Sequence, residues 1–105
     1  MLRKEEKRQT ARRKVLWGAR LANLDGSRYL RCLTRDISAG GARVDIESQT
    51  FPDESGWFLD LRSRIAYEAR VVWHKTPELG LQFVRSYRFD ELPSKAVSRH
   101  IQGEY

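Results

Sequence analysis

The sequence predicts an all-β fold: a six-stranded antiparallel β-barrel with a basic N-terminal arm and a short C-terminal helix. Three observations carry the prediction. Six short stretches alternate apolar and polar residues with a period of two, the pattern of strands with one buried face. The segments between them are brief and rich in Gly, Asp, Ser and Pro, which suits tight connections. Six such strands in 105 residues are best closed into a barrel, because closure removes the edges that an open sheet must protect.

The elements follow in order. Residues 1–14 lack hydrophobic periodicity and form the arm, expected to float free without a partner. Their seven basic and two acidic side chains account for +5 of the net charge of +6. A basic arm on a nearly neutral body suggests an anionic partner met by the arm. Within it, Arg8-Gln9-Thr10-Ala11-Arg12 sets two guanidiniums four residues apart. They can converge on one compact anion, and each planar fork matches phosphate or the edge of guanine. Val15 to Ala22 reads as the first strand, with Val15, Trp17, Ala19 and Leu21 on one face. Asn23 to Ser27 is a turn in which Asp25-Gly26 is a strong hairpin signal. Tyr29 to Arg35 returns as the second strand, with Leu30, Cys32 and Thr34 on one side. Asp36 to Gly41 turns the chain into the third strand, Ala42 to Glu47. There Ala42, Val44 and Ile46 point one way and Arg43, Asp45 and Glu47 the other.

Ser48 to Ser55 is a loop. Trp57, Leu59 and Leu61 alternate with Phe58, Asp60 and Arg62 in a fourth strand. Tyr67, Ala69, Val71 and Trp73 alternate with Glu68, Arg70, Val72 and His74 in a fifth. Lys75 to Glu78 turns the chain. Leu79, Leu81 and Phe83 alternate with Gly80, Gln82 and Val84 in a sixth. Leu92 to Ile101 is expected to form the helix, with Pro93 in its first turn and Ala96, Val97 and Ile101 against the barrel. The chain divides into the arm at 1–14, the barrel at 15–89, and the helix and tail at 90–105. Trp17, Trp57 and Trp73 are all expected on inward faces, and of the three Trp73 is the one expected to border a ligand, because it ends a strand.

Composition excludes several function classes. Hydrophobic residues are 40% and charged residues 32%, enough for one modest core and too apolar for disorder. No run approaches the roughly 18 apolar residues of a membrane-spanning helix, and the first residues lack a signal peptide's apolar stretch. The single Cys32 excludes an internal disulfide and a multi-cysteine zinc site. These features favour a cytoplasmic protein without membrane insertion. His74 and His100 fall in different elements and match no metal-ligand spacing. Ser38 has no recognisable base beside it, and Cys32 alternates with core positions. An enzyme is therefore not expected, nor a metal or cofactor.

The candidate site is Asp36-Ile37-Ser38-Ala39-Gly40-Gly41. Adjacent glycines permit positive φ and close approach to the backbone. Asp36 accepts hydrogen bonds, and Ser38 can donate to a phosphate oxygen. The turn suits an object carrying both N–H donors and phosphates, such as a purine nucleotide. A plain hairpin turn, in which Asp36 and Ser38 bond their own backbone, has the same signature.

Taken together, the RxxxR arm, the Asp36-x-Ser38-x-x-Gly41 turn, the Ala69-Arg70-Val71-Val72-Trp73 strand and the Leu79-Gly80-Leu81-Gln82-Phe83 strand resemble the PilZ domain, the bacterial receptor module for cyclic di-GMP. The resemblance runs from Arg8 to Val84. It implies that Arg8 and Arg12 bind the ligand's phosphates and stack on or hydrogen-bond its guanines. It implies that Asp36 reads the guanine N1–H and N2–H edge, that Ser38 contacts phosphate and that Gly41 leaves room for the ligand. Many members that bind a ligand dimer carry another Arg before the arm's first arginine, where this chain has Lys7. Lys7, Arg13, Arg35, Gly40, Arg43 and Trp73 are possible secondary contacts.

The resemblance implies a cyclic di-GMP receptor that orders its arm on binding and signals through a protein partner. Two other readings stand beside it. A small basic β-barrel that binds single-stranded DNA or RNA would want exposed aromatics on one face, where the predicted outward residues are mostly charged or amide-bearing. A ligand-free adaptor would keep the fold and work by protein contacts, and the intact set of five motif residues argues against it.

Overall fold

The computed structural model describes residues 13–46, 54–92 and 97. Among them, antiparallel strands close into a barrel. The strands are β1 (Arg13–Asn23), β2 (Tyr29–Ile37), β3 (Gly41–Ile46), β4 (Ser55–Asp60), β5 (Ile65–Lys75) and β6 (Glu78–Arg88). Their order around the barrel is β1, β2, β3, β6, β5, β4, and β1 pairs with β4 to close it. A 3-10 turn, Phe89–Glu91, follows β6. Of the helix expected over 92–101, only Leu92 and Val97 lie among the described residues, and Val97 is helical and fully buried. No helix among the described residues is long and apolar enough to cross a membrane.

Alternation fills the barrel. Ala19, Leu21, Cys32, Val44, Ile46, Phe58, Leu79 and Leu81 form the inner core. Phe83 stacks on Tyr67 at 3.9 Å between centroids and on Phe58 at 5.7 Å. Burial pushes the Cys32 thiol up to about 12, so it is a core residue and not a nucleophile. The β1–β2 turn forms as expected: Gly26 takes φ 75°, and Asp25 Oδ1 accepts the Ser27 N–H at 2.9 Å.

β4 departs from the expected alternation, being buried without a break from Gly56 to Asp60. Phe58, expected outward, points into the barrel. Trp57 and Leu59, expected inward, lie on the outer face with Ala22, Ala66, Phe89 and Val97. The strand is covered on both sides, so both of its faces are apolar. Asp60, at its end, is buried because the following turn wraps it. Its carboxylate accepts the Ser63 hydroxyl at 2.7 Å and the Arg62 N–H at 3.2 Å.

Bulges account for the other departures. An extra residue in a strand resets which face the following side chains occupy. Between β2 and β3 the register slips at Arg35, so Thr34 faces Val44 but Asp36 faces Arg43. Between β5 and β6 it slips at Val72 and at Val84, and these two bulged residues are exposed hydrophobics. The slip at Val72 turns Trp73 outward, opposite Gly80 and 40% exposed. Trp73 also does not end its strand, which runs on to Lys75. Of the three tryptophans expected in the core, only Trp57 is buried; Trp17 is half-buried at the barrel mouth.

Among the described residues, Thr34 carries unmet hydrogen-bonding capacity into the inner core. Thr34 is fully buried, and its Oγ1 has no partner among the described residues. Thr34→Val keeps the shape and removes the orphaned hydroxyl. It should stabilise the fold by about 1 kcal/mol, a rise in Tm of roughly 4 °C for a domain this size, read by thermal melting. A lower Tm would show that the hydroxyl is satisfied in solution.

Candidate functional site

The bulge at Arg35 builds the site. Strict alternation would point Asp36 inward with Cys32 and Thr34. The extra residue instead sets it on the outer face, where it belongs to β2 and not to the turn. Its neighbour Ile37 packs against the inner core. Asp36 is only 3% exposed, and a buried carboxylate demands a charged or hydrogen-bonding partner. Arg43 provides one: its Nε donates to Asp36 Oδ2 at 3.0 Å. Arg43 Nη1 also donates to Glu78 Oε2 at 3.2 Å. The Asp36 hydrogen bond, then the Asp36 charge, hold the Arg43 guanidinium above its ordinary value, with Glu78 and Asp45 adding to the effect. Arg35 turns the other way and donates to Asp45 Oδ2 at 3.0 Å.

The same rung continues across the barrel. Lys14 pairs with Asp36, Asp36 with Arg43, Arg43 with Gly80, and Gly80 with Trp73. A Cβ at Gly80 would overlap the Trp73 indole where it now lies. The indole therefore rests on the Gly80 backbone, and its exposure leaves part of it free for a stacking partner. An acid, a guanidinium and an aromatic plane thus share one outer face.

The turn itself is short. Ser38 N–H donates to the Gly41 carbonyl at 2.8 Å, and Ser38 Oγ bonds the same carbonyl at 3.4 Å and accepts the Gly40 N–H at 3.3 Å. Ser38 thus bonds its own turn, whereas Asp36 bonds a side chain across the sheet. Gly41 has a packing reason: its Cβ would collide with the Leu81 carbonyl. A Cβ at Gly40 would meet nothing within 4 Å. Behind the turn, a pocket of about 520 Å³ opens at the barrel mouth, lined by residues that include Trp17, Ser38, Asp60, Arg62 and Tyr67. The Arg62 guanidinium lies 4.9 Å from the centre of the Trp17 ring. Burial, then the Asp60 charge, push the Tyr67 hydroxyl up.

The structure brings Asp36, Arg43 and Trp73 onto one face and sets Ser38 and Gly41 at its edge. Arg8, Arg12 and Lys7 lie outside the described residues, and of Arg13 only the backbone is described. That backbone pairs with Ile37, so the segment carrying RxxxR leads into β1 directly beside Asp36 and Ser38. Sequence reasoning missed Glu78 and Gly80. A glycine inside a strand pattern signals close approach of another group, and Leu79-Gly80-Leu81 carried that signal. The PilZ domain family model matches residues 6–101, nearly the whole chain. No curated protein matches it.

The two glycines of the turn should respond differently to substitution. Gly41→Ala forces β3 from β6 and should cost about 1–3 kcal/mol, the usual range for overpacking. Gly40→Ala should be close to neutral. Urea denaturation of both variants measures the difference, and equal stability would remove the packing role of Gly41.

Proposed function

The chain belongs to the PilZ domain family, and on that premise we propose that it is a cyclic di-GMP receptor with no catalysis of its own. The observation that carries the reading is the placement of Asp36. It sits on the outer face, next to the point where the basic arm joins β1. A dinucleotide with two purines and two phosphates needs an acceptor for guanine N–H groups, cations for phosphate and planar surfaces for stacking. Asp36 supplies the acceptor. Arg8 and Arg12 supply cations and planes, and Trp73 supplies a further plane. Ser38 contacts phosphate from the turn, and Gly41 keeps the turn close to β6. Binding orders the arm over the barrel and changes a surface that a protein partner reads. The entropy of ordering is offset by ligand contacts, as for any segment that folds on binding.

Isothermal titration tests the reading. The protein should bind cyclic di-GMP at micromolar affinity or better and prefer it over cyclic di-AMP, whose adenine offers Asp36 no N1–H or N2 amino group. Hydrogen exchange at residues 8–14 should slow on adding ligand. Absence of heat at about 100 μM ligand, corresponding to less than roughly 5–6 kcal/mol of binding, would refute the receptor reading. Tight, salt-sensitive binding of single-stranded oligonucleotides in its place would mark a nucleic-acid binder.

The two halves of the site should separate by salt. Arg12→Ala removes a screened charge–charge attraction, so binding should weaken and lose part of its salt dependence. Asp36→Ala should weaken binding with little change in salt dependence, and it should narrow the preference over cyclic di-AMP. Each loss should be about tenfold or more, the worth of a charge-assisted hydrogen bond. Circular dichroism checks that both variants fold. This matters most for Asp36, whose burial makes it part of the packed structure. Full affinity in either folded variant would contradict the role assigned.

A further inference from the structure

Arg43 is the only side chain on the candidate face that the described structure ties to two carboxylates on two different neighbouring strands. Its Nε holds Asp36 on β2, and its Nη1 holds Glu78 on β6. The third nearby acid, Asp45, has its own cation in Arg35, so Arg43 remains with the first two. A guanidinium engaged through two nitrogens is fixed in plane and direction. It therefore fixes the Asp36 carboxylate, which is bonded through Oδ2.

We propose that Arg43 is a positioning residue for guanine recognition, with Glu78 as its anchor, and that it sets the preference for guanine over adenine by holding the Asp36 carboxylate in its reading orientation. The inference rests on the receptor reading and deepens it. Two physical points support an indirect role. Two carboxylates at hydrogen-bond distance outweigh the single positive charge of Arg43, so Arg43 itself offers little net attraction to phosphate. A carboxylate held in place before the ligand arrives loses less freedom when the guanine edge docks.

The test is titration of Arg43→Gln, Arg43→Lys, Glu78→Gln, Asp36→Ala and the double variant Asp36→Ala/Arg43→Gln, at low and high salt, with cyclic di-GMP and cyclic di-AMP. Arg43→Gln should bind cyclic di-GMP about tenfold more weakly, bind cyclic di-AMP almost as the parent does, and keep the parent's salt dependence. Arg43→Lys keeps the charge but not the two-carboxylate geometry and should not restore the preference. Glu78→Gln, which loosens the anchor and leaves the Asp36 contact, should narrow the preference by about threefold, within the effect of a single neutralised surface pair. In the Asp36→Ala background, Arg43→Gln should change affinity by less than about twofold, because its route has gone. Three outcomes overturn the proposal while leaving the receptor reading intact. The first is that the effects of Arg43→Gln and Asp36→Ala multiply; the second is that both dinucleotides weaken together with a flatter salt dependence, as for a direct phosphate contact; the third is that Arg43→Lys restores parental selectivity. A parent that binds neither dinucleotide refutes the receptor reading, and the proposal with it. Should Arg43→Gln fail to fold by circular dichroism, Arg43→Lys and Glu78→Gln carry the decision alone.

Discussion

The contact between Asp36 and Arg43 depends on one extra residue in β2. Without the slip at Arg35, Asp36 would follow Cys32 and Thr34 into a core of Val44, Ile46, Phe58 and Leu79. A lone carboxylate there would meet no charged partner, at a cost of several kcal/mol. The bulge exchanges that arrangement for a carboxylate on the outer face with a guanidinium at 3.0 Å. It also leaves Ile37, the next residue, to seal the inner core. The acid of the site and the integrity of the barrel therefore rest on the same irregularity.

Much of the fold was legible because most strands obey a period of two. Cys32, Val44, Ile46, Leu79 and Leu81 were assigned inward from alternation alone, and all are buried. The failures fall where another constraint overrides that period. Tyr67, Ala69 and Val71 precede Trp73 in phase and predict it in the core, but a bulge at Val72 breaks the phase. Phe58 and Trp57 exchanged faces because both faces of β4 are apolar, so alternation there carries no information. Asp, Ser and Gly are turn formers and predict Asp36 in the turn, whereas its cross-strand partner lies seven residues on, beyond any local pattern. The pairing of Arg43 with Glu78 spans 35 residues and becomes visible only once the strand order is known.

The outer surface of the barrel is divided between two uses. On the side of β4, apolar residues from β1, β4 and β5 are covered by Phe89 and Val97. On the side of β2, β3 and β6, the outer face carries Arg35, Asp36, Arg43, Asp45 and Glu78 in ion pairs. Around the barrel, the pairs β1–β2 and β6–β5 form the borders between the two surfaces. A rigid, paired array on strands holds its geometry better than the same groups on a loop.

That array has a consequence for how an anionic ligand is held. Its three acids outnumber its two arginines, so the paired array by itself carries no excess of positive charge. The first 14 residues, in contrast, hold +5 of the chain's +6. In the receptor reading, long-range attraction for phosphate must therefore come from the arm, and short-range discrimination from the face. The two contributions differ in their physics. Attraction between exposed charges falls with ionic strength over about a Debye length, whereas a hydrogen bond to a buried, prepaired carboxylate is short-ranged and little screened. A chain built this way can lose affinity as salt rises and still keep its choice of base, because the groups that attract and the groups that select are carried by different parts of the sequence.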